Sequence, residues 1–149
     1  MQAYTQALVK LYTSHPALYE LDFSSDGFEW IQFTNYDENI VAFLRKTEKM
    51  EETLLIVCNF SPVSYDSYQV GVPFAGKYKE NFNSDNGKYG GLGVVNTRAK
   101  NAVHAECDNR ENSLKMRLPA YGVTVFSCTP EKKVSSVKRV GKKVKISRK

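Results

Sequence analysis

One change of hydrophobic period, at Pro16, decides most of what this 149-residue chain can fold into. Before it, Tyr4, Ala7, Leu8, Leu11 and Tyr12 recur at helical spacing and predict an amphipathic helix over residues 3–14 that stops at His15-Pro16. Residues 16–21 read as a short helical turn, with proline first, where its missing N–H costs nothing. After that the period is that of a sheet. Short segments rich in β-branched and aromatic residues at 28–33, 40–46, 53–60, 68–72, 77–82, 113–118 and 122–128 predict seven strands. Turn signals separate them, among them Asp26-Gly27, Tyr36-Asp37-Glu38-Asn39, Ser61-Pro62 and Ala75-Gly76. With no second long helix, the pattern predicts a mainly β chain, an antiparallel sandwich preceded by one N-terminal helix. The stretch PALYELDFSSDGFEWI, residues 16–31, is the seam where helix gives way to sheet, and it reads as a boundary between two domains.

The strands differ in kind. Leu54, Leu55, Ile56 and Val57 form a continuous apolar run, which predicts a central strand covered on both faces. Leu114, Met116 and Leu118 alternate with Lys115 and Arg117, which predicts a strand with one wet face. The thirty residues 83–112 carry four glycines and few large apolar side chains, so they read as one long loop, of the kind that is functional or flexible.

Charge is divided unevenly. Residues 129–149 hold nine Lys/Arg against Glu131 alone, a net +8, leaving 12 basic and 15 acidic residues, or −3, for the rest of a chain whose total is +5. That tail lacks core-sized apolar content and reads as disordered. A single chain of this length falls short of the roughly 250 residues of a (β/α)8 barrel. No apolar run approaches the ~20 residues that cross a bilayer, and MQAYTQALVK lacks the apolar core of a signal peptide, so a cytoplasmic location is expected. Cys58, Cys107 and Cys128, odd in number and far apart, are expected to be reduced thiols.

Catalytic signals are weak. His104-Ala105-Glu106 matches the H-x-E of zinc deaminases, but no P-C-x-x-C completes a ligand set, so a solvated histidine is the better reading. Gly90-Gly91-Leu92-Gly93 lacks the strand-then-helix context of a phosphate cradle and reads as a loop needing positive φ. Asn59-Phe60-Ser61 fits a glycosylation acceptor without the secretory context that would give it weight. The carboxylate pairs Glu20 with Asp22 and Asp37 with Glu38 sit in turns, where such pairs are solvated. No active site, cofactor or metal is expected. The aromatic residues suggest more, since sugar rings stack their C–H faces on flat side chains. Trp30, the one tryptophan, shares a strand face with Phe28, while Glu29 and Ile31 share the other. Trp30 and Tyr89, in the long loop, are the two candidate sugar-binding residues, each set against a reading as packing.

Four stretches together resemble the C-terminal all-β domain of bacterial glycogen (1,4-alpha-glucan) branching enzymes, of the α-amylase superfamily. They are PALYELDFSSDGFEWI at 16–31, IVCNFSPVSYDSYQVGVPFAGKYKENFNSD at 56–85, YGGLG at 89–93 and NSLKMRLPAYGVTVF at 112–126, and the resemblance covers about residues 3–128. It implies a Greek-key β-sandwich at 25–128, a helical remnant of the catalytic barrel at 1–24, and no counterpart for the tail at 129–149. The family cuts an α-1,4 linkage, holds the fragment as a covalent glycosyl-enzyme and transfers it to a 6-hydroxyl, making an α-1,6 branch. One carboxylate attacks and one acid protonates the departing oxygen. The resemblance places both on barrel strands with no matching position here, so the chain is expected to be a non-catalytic module, inactive alone. Its implied partners are α-glucan and the catalytic barrel, with no membrane. Trp30 matches the tryptophan of the family's G-F-E-W motif, a position the resemblance implicates in glucan binding. A second reading is a β-domain that binds nucleic acid through the basic tail; the acidic body and the lack of an RNA-binding signature stand against it.

Overall fold

The computed structural model describes residues 2–21, 24–32 and 39–131. Among the described residues one α-helix, α1 (Gln2–Ser14), precedes eight strands: β1 (Phe28–Gln32), β2 (Ile40–Arg45), β3 (Leu54–Asn59), β4 (Tyr65–Val72), β5 (Gly76–Asn83), β6 (Lys100–Asn101), β7 (Asn112–Leu118) and β8 (Gly122–Pro130). All pairings are antiparallel: a six-stranded sheet in the order β1-β2-β3-β8-β5-β6 and a two-stranded sheet of β4 and β7. β8 returns to lie between β3 and β5, and a bridge between Val103 and Ser113 carries β6 toward β7. Strands β5 to β8 therefore close in the spatial order fourth, first, second, third, which is a Greek key.

The alternation of side chains along β3 builds two cores from one strand. Leu55 and Val57 point between the sheets, where they meet Ile40, Ala42, Leu44, Val70, Val72, Leu114, Met116, Leu118 and Phe126. Leu54 and Ile56 point to the opposite face, where Ala17, Phe82 and Val125 join them. This is the central, doubly covered strand that the run at 54–57 predicts. On β7, Leu114, Met116 and Leu118 are buried while Lys115 and Arg117 are exposed, the predicted one-sided strand. Buried Tyr78 satisfies its hydroxyl by donating to Phe74 O at 2.7 Å.

Helix α1 lies on the outer face of the large sheet. Tyr4, Ala7 and Leu11 pack on the second core, whereas Leu8, Val9 and Tyr12 face solvent. Its amphipathic stripe is thus rotated from the predicted one: Leu8 lies outside it, and the inner face has a partner within the chain. His15 fastens the helix end. A carbonyl can only accept and an amide nitrogen only donate, so its Nδ1–H donates to Leu11 O at 3.0 Å and its Nε2 accepts from Asn81 Nδ2 at 3.0 Å.

Two further expectations need adjustment, and others lie outside the described residues. The stretch 83–112 is not a bare loop, because Lys100–Asn101 pairs with Lys77 and Tyr78 of β5. β8 continues to Pro130, two residues into the segment read as tail; the rest of that tail, 132–149, lies outside the described residues. So do Asp22, Asp37 and Glu38 of the carboxylate pairs and most of the predicted turn at 36–39.

Candidate functional site

The register of the large sheet lines up one row of side chains across its outer face: Trp30 opposite Phe43, Phe43 opposite Ile56, Ile56 opposite Val125, and Val125 opposite Phe82. Helix α1 covers the Phe82 end. At the other end, on edge strand β1, the row finishes in aromatic rings open to solvent. Phe28 stacks on Phe43 at 5.1 Å, Trp30 meets Phe28 edge-on at 5.0 Å, and Trp30 meets Phe43 at 5.9 Å. These are the spacings at which ring quadrupoles attract and fix one another's orientation. Trp30 is 47% exposed, so it is not a core tryptophan; it is a flat surface held in place by two neighbours. The period of β1 alone puts Phe28 beside Trp30, whereas Phe43 joins them only through the β1–β2 register, which no local pattern specifies.

Glu29, on the opposite face of the same strand, anchors the patch. Its carboxylate accepts from Lys46 Nζ at 2.7 Å and pairs with Arg110, whose guanidinium also reaches Trp30 O at 3.4 Å. The Lys46 hydrogen bond, opposed by partial burial and aided by Arg110, lowers the Glu29 pKa below its ordinary 4.5. A carboxylate with a depressed folded-state pKa contributes stability above the unfolded value and loses it as pH falls through the folded one. We therefore expect the Tm of the wild type to fall from pH 5 to pH 3 more than that of Glu29→Gln. Equal slopes in a thermal-melt series would show that the pair contributes nothing.

Tyr89 has a different setting. It packs edge-on against Tyr4 at 5.4 Å and tilted against Phe82 at 5.8 Å, with Lys88 Nζ 5.5 Å from its ring centroid. The structure does not bring Tyr89 together with Trp30: helix α1 covers the Tyr89 end of the sheet, while Trp30 lies on edge strand β1. The loop that carries Tyr89 is wound around Asp85. Its Oδ1 accepts from Leu92 N at 3.2 Å, its Oδ2 from Val94 N at 2.9 Å, and its backbone O from Gly93 N at 2.8 Å. Gly90 and Gly93 take the positive φ the sequence predicts there, +88° and +86°. Further along, Asn96 N and Nδ2 donate to the Glu80 carboxylate at 3.1 and 2.8 Å, and Asn96 Oδ1 accepts from Arg117 N at 2.8 Å. Polar side chains replace the missing apolar ones as fasteners.

The remaining sequence candidates resolve plainly. His104 and Glu106 line a shallow hollow with Asn109, Arg110 and Glu111, and among the described residues no three His, Cys, Asp or Glu side chains converge as a metal would need. Asn59 is buried, donating to Val63 O and Pro119 O and accepting from Ser61, so it is no glycan acceptor. The three thiols are unpaired. Burial raises the pKa of Cys58 and Cys128, and burial with the nearby Asp108 pushes Cys107 to about 11, so none is an activated nucleophile. No described helix is long and apolar enough to cross a membrane.

Antiparallel sheets in a Greek key, with an outer face half covered by a helix and half by open aromatic rings, define an all-β sandwich module. The family model for the alpha amylase C-terminal all-beta domain matches residues 30–129, and the chain belongs to that family. It is 40% identical over 129 residues, 87% of this chain, to the 1,4-alpha-glucan branching enzyme GlgB of Oceanobacillus iheyensis, covering 20% of that protein. To the GlgB of Bacillus cereus it is 36% identical over 146 residues, 98% of this chain and 22% of that one. The chain thus spans about a fifth of the length of the curated relatives it matches. Among solved structures, the alpha-amylase from H. orenii aligns with 85% of this chain and 20% of its own at a TM-score of 0.49 and 20% identity.

Proposed function

We propose that this chain is the C-terminal module of a cytoplasmic 1,4-alpha-glucan branching enzyme of glycogen biosynthesis. On this reading residues 1–24 belong with the catalytic barrel, residues 25–128 form the module that supports it, and bond cleavage and transfer are left to carboxylates of the barrel. The module also holds α-glucan on its surface. The observation that carries this is the exposure of Trp30 in a ring cluster whose other members fix its plane. A pyranose offers an apolar face to such a ring and keeps its hydroxyls in water, so stacking costs little polar desolvation. An aromatic held rigid before binding also loses little side-chain entropy on binding.

In affinity electrophoresis through a glycogen-containing gel, the chain is expected to be retarded, and Trp30→Ala to weaken retention about tenfold, the size of one lost aromatic stack. Unretarded migration of the wild type, or unchanged retention of the variant, would overturn the glucan-binding part.

A further inference from the structure

Tyr121 sits in the turn between β7 and β8 with φ +48°, a left-handed conformation that turns normally give to glycine or asparagine. Its side chain is 71% exposed, so burial of the ring does not explain why an aromatic occupies this position. What the ring does is wall a hollow of about 320 Å³ whose other sides are Tyr4, Ser84, Asp85 and Tyr89. That volume is at the lower end of small-ligand sites, roughly 300–1,000 Å³.

We propose that this hollow is a second α-glucan subsite, with Tyr121 as its stacking platform. The inference rests on the α-glucan reading above and extends it to a place remote from Trp30. Three phenol rings supply flat apolar surface, each with a hydroxyl. Ser84 Oγ accepts from Val123 N at 2.9 Å, which leaves its O–H free to donate. Asp85 spends two lone pairs on Leu92 N and Val94 N and keeps two for ligand hydroxyls. The same carboxylate argues against a phosphate or an acidic peptide, which it would repel, and favours a neutral polyol. Tyr89 enters as a wall already braced by Tyr4 and Phe82, while Tyr121 supplies the open face.

Calorimetric titration of the full chain with maltoheptaose tests this. Tyr121→Gly removes the ring where the backbone favours glycine, so the variant keeps its fold, with a Tm no lower than the wild type. At the Tyr121 site it is expected to bind about tenfold more weakly, with the Trp30 component unchanged, while Tyr121→Phe, which keeps the ring, stays within about twofold. Trp30→Ala should retain a component that disappears when Tyr121→Gly is added. If Tyr121→Gly binds like the wild type while Trp30→Ala loses all binding, the second subsite is wrong and the first reading stands. A large loss in Tyr121→Phe would overturn the stacking role. If the wild type takes up no maltoheptaose, the α-glucan reading falls and this proposal with it.

Discussion

Phe126→Ala is expected to lower the stability of the chain by about 3–5 kcal/mol, a large share of the roughly 5–15 kcal/mol that holds a domain together. Phe126 is fully buried on β8, opposite Leu55 of β3 on one side and Glu80 of β5 on the other. It lies among Leu55, Val57, Tyr78, Leu118 and Cys128, contributed by strands from both sheets. Hydrogen-bonded strands surround it, so its neighbours cannot close on the void without disturbing ladders on both sides, and the cavity stays open. The Tm should drop about 10–20 °C, and the urea midpoint should fall with little change in slope, since the surface exposed on unfolding is nearly the same. Leu92→Ala is the control. Leu92 is 91% exposed, and its truncation should change stability by less than about 0.5 kcal/mol. If the two variants melt together, the core is not where these strands place it.

What could be read in the sequence, and what could not, follows the range of the forces involved. The runs at Leu54 to Val57 and Leu114 to Leu118 report their own burial, because period two is a local pattern that any sheet must respect. Phe43 was not legible as a functional neighbour of Trp30. Its contact depends on the pairing of β1 with β2, which periodicity does not specify. The helix was legible but its rotation was not: Leu8 and Leu11 look equivalent on a helical wheel, and only the surface beneath decides that Leu11 turns inward. The stretch 83–112 was the least legible part. Its order comes from Glu80 holding Asn96 and Asp85 holding Val94, single polar contacts between residues sixteen and nine apart that leave no period behind. Tyr121 left a weak signal, an aromatic in the turn Pro119-Ala120-Tyr121-Gly122 where glycine or asparagine is usual.

Gly91→Ala should be the most damaging single change available in that polar loop. A Cβ at Gly91 would lie 2.1 Å from Asp85 O and 2.3 Å from Asp85 C, and since these are backbone atoms no side-chain rotation can clear them. The loop must lift. Lifting stretches the bonds from Leu92 N and Val94 N to the Asp85 carboxylate, and those from Gly93 N to Asp85 O and Gly91 N to Asn86 O. Bonds to a charged acceptor contribute about 1.5–3 kcal/mol and neutral ones about 0.5–1.5, so even partial loss amounts to roughly 3 kcal/mol. The signature should be local first: amide exchange at Leu92, Gly93 and Val94 accelerates by orders of magnitude while Leu55 and Val125 follow only the global change. Gly87→Ala separates this from a general effect of stiffening glycine. A Cβ there meets nothing within 4 Å, and the substitution should be neutral or stabilise by up to about 1 kcal/mol through the unfolded chain. Tyr89 rides on the lifted loop, so Gly91→Ala should also open the hollow it shares with Tyr4 and Tyr121 and weaken maltoheptaose binding there, with Trp30 undisturbed. Equal exchange rates at Val94 in Gly91→Ala and wild type would mean that Asp85 does not hold this loop.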